Sequence, residues 1–292
     1  MDSLNNRNNP SVDPRLLYRS SSVYPQLPHW RDRSIQDVTL NNAASFKAKS
    51  VFVYSGPGAW GVEGLCTALR KPLTGYSVKT ITPEEVIAGD WKKDAALFVM
   101  PGGADCQYVA KLNGAGNAHI KNFVHDGGSY LGVCGGAYYA GRVVSFSIDT
   151  PLEVVGVREL AFFPSVISGP TLKPFVYNSE QGSAAAKITW GFNTKTHVYY
   201  NGGGAFENAD SSGNTLVVGR YADLPDTPAA IVTCSHGNGR AVLSSVHPEI
   251  SAEALEEANP YSKEILPTLK KDNNEREELF KYLLKLSGLE VI

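Results

Sequence analysis

Three residues whose types suit acyl-transfer chemistry, Cys134, His247 and Glu249, stand at the ends of two apolar runs. A thiol attacks a carbonyl carbon as its thiolate, so it needs a base within hydrogen-bond reach and a third group to orient that base. His247 and Glu249 supply both, at the end of Gly239-Arg240-Ala241-Val242-Leu243-Ser244-Ser245-Val246-His247-Pro248-Glu249. Cys134 lies in Gly132-Val133-Cys134-Gly135-Gly136, where a buried strand is expected to run into glycines and then a short helix. Gly132 and Gly136 leave room for a sharp strand-to-helix turn, which holds a nucleophile at strained backbone angles with its side chain off the sheet edge. The positive end of the following helix would stabilise the thiolate. Each residue alone has a plainer reading: a free cysteine is usually a small buried apolar residue, and a lone loop histidine is usually solvated. Their joint occurrence favours chemistry.

The elements that must position these groups begin at Ser50. From there apolar runs alternate with helical segments, which predicts an α/β fold whose parallel sheet is covered on both faces. Strands are expected over 51–54, 76–81 and 95–100, with a helix over 62–70. Asp105 is expected to cap a helix that runs through Lys111. Ile120, Phe123 and Val124 mark the buried stripe of the next helix, which ends at Asp126-Gly127-Gly128. His119 and His125 fall on its exposed side. Cys66 and Cys106 fall in helices and Cys234 in a strand, each as a packing residue, with Cys106 near the mouth of the site. Between the cysteine turn and His247 the chain becomes strand-rich, with strands expected over 152–157, 197–200, 215–221 and 229–233. A last helix starts at Asp272-Asn273-Asn274-Glu275, carries Leu279, Phe280, Leu283, Leu284 and Leu286 along one side and stops before Gly288.

The chain's 292 residues, 42% hydrophobic, can bury a large core, and one α/β domain over 49–292 fits best. Residues 1–48, rich in Asn, Ser, Arg and Pro, are expected to form an irregular or partly disordered tail; Tyr24-Pro25-Gln26-Leu27-Pro28-His29-Trp30 within it could instead pack as a strap. A net charge of −2 offers no basic face, so nucleic acid is not expected as a partner. Four cysteines without a C-x-x-C pair do not make a disulfide framework, and the six histidines show no zinc spacing, so no metal is expected. No apolar run reaches the roughly 20 residues that span a bilayer, and the first residues lack a signal-peptide pattern. No membrane contact and a cytoplasmic location follow as expectations. Gly56-Pro57-Gly58-Ala59-Trp60-Gly61 spells G-x-G-x-x-G between a strand and a helix, which would suit a dinucleotide. Pro57 removes a backbone N–H and Trp60 adds bulk where a pyrophosphate would approach, and no acidic residue ends the next strand. A tight turn at the rim of the site is the better reading, and no cofactor is expected.

Gly132-Val133-Cys134-Gly135-Gly136 followed much later by His247-Pro248-Glu249, with an earlier strand ending Met100-Pro101-Gly102-Gly103, resembles the class I glutamine amidotransferase superfamily. Within it, Tyr54-Ser55-Gly56-Pro57-Gly58, Pro101-Gly102-Gly103-Ala104-Asp105, Cys134-Gly135-Gly136-Ala137-Tyr138 and Tyr200-Asn201-Gly202-Gly203-Gly204 resemble the N-terminal domain of fungal biotin-protein ligases, over about residues 50 to 290. The resemblance implies a three-layer α/β/α flavodoxin-like sandwich with a mostly parallel central sheet and extra antiparallel strands. It implies that Gly103 and Gly135 give backbone N–H groups to an oxyanion hole, and that Gly102, Tyr138, Asn201 and Gly202 lie on the substrate side. A flexible hairpin remains an equal reading of the triple glycine. Glutaminase domains usually carry a glutamine where this chain has Tyr138, so glutamine itself is in doubt as the substrate. No synthetase module is apparent, and no ligase module follows residue 290, so neither complete activity is expected.

Two function classes stand. One is a cysteine hydrolase acting on an amide or related carbonyl substrate through Cys134, His247 and Glu249; the other is a ligand-binding or regulatory module that has kept the pocket without turnover. A small-molecule substrate or ligand is the expected partner, and a homo-oligomer is open. The acidic residue two positions from the histidine favours the enzyme, since a module freed from catalysis has no physical need of an orienter there.

Overall fold

The computed structural model describes residues 49–255 and 260–292; the expectation of a tail over residues 1–48 lies outside the described residues. The first half alternates strand and helix: β1 Ser50–Tyr54, α1 Val62–Arg70, β2 Ser77–Ile81, α2 Pro83–Ala88, β3 Ala95–Met100, α3 Asp105–Leu112, α4 Ala115–His125, β4 Ser129–Val133 and α5 Gly135–Tyr139. The middle is nearly all strand: β5 Gly141–Phe146, β6 Val154–Val157, β7 Phe163–Gly169, β8 Ala184–Trp190, β9 Thr194–Tyr200, β10 Ala205–Phe206, β11 Thr215–Tyr221, β12 Ala229–His236 and β13 Gly239–Ser244. The chain closes with α6 Pro260–Lys263, α7 Leu266–Lys271 and α8 Asn273–Leu286.

The strands form one sheet in the order β2-β1-β3-β4-β13-β12-β10-β7-β5-β6, and β11, β8 and β9 branch from β12. The segment β2-β1-β3-β4-β13 is parallel throughout, which is the 2-1-3-4-5 order of a flavodoxin-like sheet with β13 as its fifth strand. Both faces are covered, as the unbroken apolar runs of β3 and β4 require. Leu65, Cys66 and Leu69 of α1 pack with Leu279, Phe280, Leu283 and Leu284 of α8 on one face. Val86 of α2, Tyr108 and Leu112 of α3, and Ile120, Phe123 and Val124 of α4 pack on the other. The expected three layers are therefore present, with antiparallel pairing confined mainly to β12 and beyond.

Several local expectations are corrected. The strand expected over 152–157 begins at Val154, and β5, β7, β8 and β10 were not foreseen. Asp105 does not cap α3, whose N-cap is Ala104; its carboxylate accepts instead from Arg158, Nε at 2.8 Å and Nη2 at 2.7 Å. Asp272 stands at the N-cap of α8 without a capping bond, because its carboxylate is taken by the ring and backbone of His197 at 2.6 and 3.0 Å. Cys106 is exposed rather than packed, whereas Cys66 and Cys234 are buried. His119 is half-buried, its Nδ1 2.8 Å from Lys92 Nζ.

Candidate active site

Register brings the key segments to one level. Ser244 of β13 stands opposite Val133 of β4, and Met100 of β3 opposite Gly132, so the chains leaving all three strands emerge side by side at the carboxyl edge. Open α/β sheets take ligands in the crevice outside this edge, where neighbouring connections diverge to opposite faces. Cys134 follows β4 at φ 47° and ψ −104°, outside the regions an L-residue favours. Such strain costs about 1–3 kcal/mol and persists only where the surroundings enforce it. Here they do. The Cys134 N–H bonds the Ser244 carbonyl at 2.7 Å, its own carbonyl accepts from Ala137 and Tyr138, and a Cβ at Gly136 would lie 2.1 Å from the Met100 carbonyl oxygen. The tight turn expected from Gly132 and Gly136 is present.

His247 is wholly buried, three residues beyond β13. Its N–H bonds the Tyr199 carbonyl at 2.9 Å, which ties the His-Pro-Glu turn to the end of β9. Its ring lies between Tyr199 and Trp60, with centroids 5.7 and 6.0 Å away, and over Gly102, where a Cβ would meet His247 Cε1 at 2.8 Å and Cys134 Cβ at 3.6 Å. Nδ1 is 2.7 Å from Glu249 Oε1, and the Cys134 side chain and the imidazole converge beside Gly102 and line one cleft. Burial alone would lower the imidazole pKa, but the Glu249 carboxylate and the Cys134 sulfur outweigh it and raise the value to about 10. Cys134 Sγ is also 3.6 Å from the Asn201 carbonyl oxygen. The arrangement can set a cysteine sulfur beside an imidazole whose orientation a carboxylate fixes.

Gly103 and Gly135 lie directly against each other: a Cβ at Gly135 would be 2.8 Å from the Gly103 nitrogen. The Gly135 N–H opens α5 and so has no intrahelical acceptor. The Gly103 N–H is left out of the bridge to the β1–α1 turn, whose bonds run from Trp60 N–H to the Gly102 carbonyl and from Ala104 N–H to the Gly58 carbonyl. That bridge uses the G-x-G-x-x-G segment to build the rim, as expected of a turn.

A cleft of about 1020 Å³ opens above the sulfur. Cys134, His247, Gly103, Tyr138, Asn201 and Gly202 line it. Gly102 does not; it borders a neighbouring 280 Å³ cavity shared by Trp60, Glu180 and Glu249. Tyr138 is buried, and its hydroxyl donates to the Gly202 carbonyl at 3.1 Å, so it closes one wall with the ring and spends its polar group on backbone. Asn201 Nδ2 donates to the Ser179 carbonyl at 3.0 Å, which joins the triple-glycine segment to the β7–β8 loop. Ala104 and Gln107 line the cleft but Cys106 between them does not.

Sequence reasoning missed several residues here. Trp60 shields the imidazole, Phe175 and Glu180 line the cleft, and the buried Arg276 donates from Nη1 to the Pro248 carbonyl to pin the His-Pro-Glu turn from α8. An arginine on the otherwise apolar side of α8 was the available signal for the last. Among the described residues there is no group of three or more His, Cys, Asp or Glu placed to hold a metal ion, and no helix is long and apolar enough to cross a membrane.

A protein-family model described as biotin-protein ligase, N terminal, matches residues 49–292. The biotin-protein ligase of Schizosaccharomyces pombe is 38% identical over 252 residues, covering 83% of this chain and 38% of that protein. The chain thus spans well under half the length of that relative. An uncharacterized protein of Chlamydia muridarum is 40% identical over 173 residues, 58% of this chain and 67% of that one. A glutamine amidotransferase crystal structure superposes with a TM-score of 0.52 at 15% identity, covering 82% of this chain and 99% of that one, a likeness of fold alone. The chain belongs to the biotin-protein ligase N-terminal family, and its fold is that of a class I glutamine amidotransferase.

Proposed function

We propose that the domain is a cysteine hydrolase acting on an amide or related carbonyl substrate bound in the cleft. Cys134 Sγ attacks the carbonyl carbon, and the oxyanion is received by the Gly103 and Gly135 N–H groups, each such donor being worth roughly 3 kcal/mol in comparable sites. His247 gives its proton to the leaving amine as the C–N bond breaks, leaving a thioester on Cys134. Water then attacks the thioester with His247 accepting its proton, the C–S bond breaks, and the acid product departs. Glu249 holds the imidazole tautomer throughout. The observation that carries this reading is the strained Cys134 turn, whose side chain converges beside Gly102 with an imidazole already paired with a carboxylate. A thiol doing this chemistry must be kept reduced, which favours a reducing compartment such as the cytoplasm.

The test is competitive labelling with limiting iodoacetamide at neutral pH, read by peptide mass. Cys134, only 8% exposed, should be labelled ahead of the exposed Cys106. Labelling of Cys134 no faster than Cys106 would overturn the reading. A ligand-binding module is the second reading, favoured by the Tyr138 hydroxyl being spent on Gly202 where glutaminases keep a glutamine. Saturable binding of amides or γ-glutamyl compounds without Cys134-dependent release would establish it instead.

A further inference from the structure

The walls of the cleft carry an unequal charge. Among the described residues lining it there is no lysine or arginine, and the cationic group it does contain, the His247 ring, is already committed to Glu249. The same cleft is lined by Glu180, on the loop between β7 and β8. Among the described residues its carboxylate receives one hydrogen bond, from Ser262 Oγ of α6 to Oε2, and no cationic side chain reaches it. A half-buried carboxylate without a counter-charge is costly to hold unless something else supplies the positive charge. Ser262 is fully buried, so the Glu180 side chain is fixed by a rigid donor rather than swinging in solvent.

Exposed aromatic residues share the cleft with Glu180. Trp60 and Tyr177 line the same cleft, and both leave about half their surface exposed, 49% and 48%. Trp60 and Glu180 also share the adjoining cavity, so indole and carboxylate border one space. Aromatic faces attract cations through their quadrupole, and a carboxylate beside them adds direct charge attraction. The same surroundings would reject a carboxylate or phosphate. Burial first, and then the nearby Glu180 charge, push the Tyr199 phenol up to about 12, which places Glu180 electrostatically close to the residue that packs on His247.

We propose that Glu180, with Trp60 and Tyr177, is a recognition subsite for a protonated amine, so that the substrates of this domain are amides or esters carrying a cationic ammonium group away from the scissile carbonyl. This rests on the hydrolase reading above. Glu180 acts here as a specificity residue, and the chemistry at Cys134 proceeds without it.

Three methanethiosulfonates of similar length test it: the 2-(trimethylammonium)ethyl cation, the 2-sulfonatoethyl anion and neutral propyl. Each converts a thiol to a mixed disulfide and releases methanesulfinate, so the full-length chain can be mapped by mass. Rates at Cys134 are divided by those at Cys106 in the same molecule to cancel intrinsic reagent differences. The expected cation-to-anion ratio is at least about tenfold, equivalent to ~1.4 kcal/mol. Glu180→Gln keeps an acceptor for Ser262, and there the ratio should fall to within about twofold while the neutral reagent reacts as before. A ratio near one in the parent protein, or a large ratio that survives Glu180→Gln, overturns the subsite. If Cys134 instead fails to outpace Cys106 with the neutral reagent, the hydrolase reading fails, whereas the ratio still decides the subsite. Should the thiol resist all three reagents, quenching of tryptophan fluorescence by benzyltrimethylammonium decides it: saturable quenching lost in Glu180→Gln supports the proposal, and quenching unchanged or absent overturns it.

Discussion

The parallel half of the sheet and its antiparallel extension meet where β13 pairs β12, and they bring different kinds of group to the cleft. From the parallel half come Cys134, Gly103, Gly135 and His247, each within three residues of a largely buried strand and each on a turn closed by main-chain bonds. From the extension come Asn201 and Gly202 after β9, and Phe175, Tyr177 and Glu180 on the loop after β7. The groups proposed to react thus sit on short turns whose backbone cannot shift without breaking sheet registry, whereas those proposed to recognise the ligand sit on longer, more exposed segments. Precision at the sulfur and variability at the walls can then change independently, which is how one fold serves many substrates.

The largest effect that would break this division comes from the parallel half. Cys134→Ala should abolish labelling at the site, and His247→Ala should slow Cys134 alkylation at neutral pH by about 10²-fold or more, the usual worth of a positioned base. Phe192→Ala, at the 93% exposed tip of the β8–β9 hairpin, should leave the rate within about twofold. A comparable loss at Phe192 would show that the extension governs the sulfur after all.

Gly135→Ala comes next. The new Cβ would lie 2.2 Å from the Gly103 carbonyl oxygen, a backbone atom that cannot rotate away. Overpacking of this kind costs about 1–3 kcal/mol, and here it also pries the two amides apart. Urea unfolding should show the loss, and turnover should drop by about 10²-fold on any substrate that the parent hydrolyses. Gly213→Ala, in the extension, meets no atom within 4 Å and should unfold within about 0.5 kcal/mol of the parent.

The same division explains what could be read in the sequence. Parallel strands buried on both faces announce themselves as unbroken apolar runs, and the residues at their ends are adjacent in sequence to the glycines that shape them. Cys134, His247 and Glu249 were legible for that reason. β7 was not, because Phe163-Pro164-Ser165-Val166-Ile167-Ser168-Gly169 mixes proline, serine and glycine on a half-buried strand. Glu180 carries no local signal at all: its meaning comes from Ser262 and Trp60, both far away in the chain. Asp105 was misread as a helix cap because it lies beside a helix start, yet Arg158, brought in by tertiary folding, competes for the carboxylate and wins, just as His197 takes the carboxylate of the N-cap residue Asp272.

The smallest effect separates two histidine–carboxylate pairs, one in each half. His247 has a folded pKa raised to about 10 against 6.5 unfolded, so its pairing with Glu249 stabilises the fold fully below pH 6.5, and that contribution is lost as pH rises through 10. Asp272 behaves oppositely. Burial alone would raise its carboxyl pKa, but the two His197 hydrogen bonds prevail and hold it below the ordinary 3.8, so its contribution is present above that pH and fades on acidification through the lower folded value. Urea unfolding from pH 3 to pH 10 on Glu249→Gln and Asp272→Asn should therefore give opposite trends. The Glu249→Gln deficit should be largest near pH 6 and shrink toward pH 10, and the Asp272→Asn deficit should be constant above pH 5 and shrink toward pH 3. Removing one member of a buried pair also strands the other, so the Glu249 deficit should be the larger of the two at pH 6. Parallel trends would mean that the buried imidazole carries no excess proton, and the proposed role of His247 as the proton donor to the leaving amine would have to be abandoned.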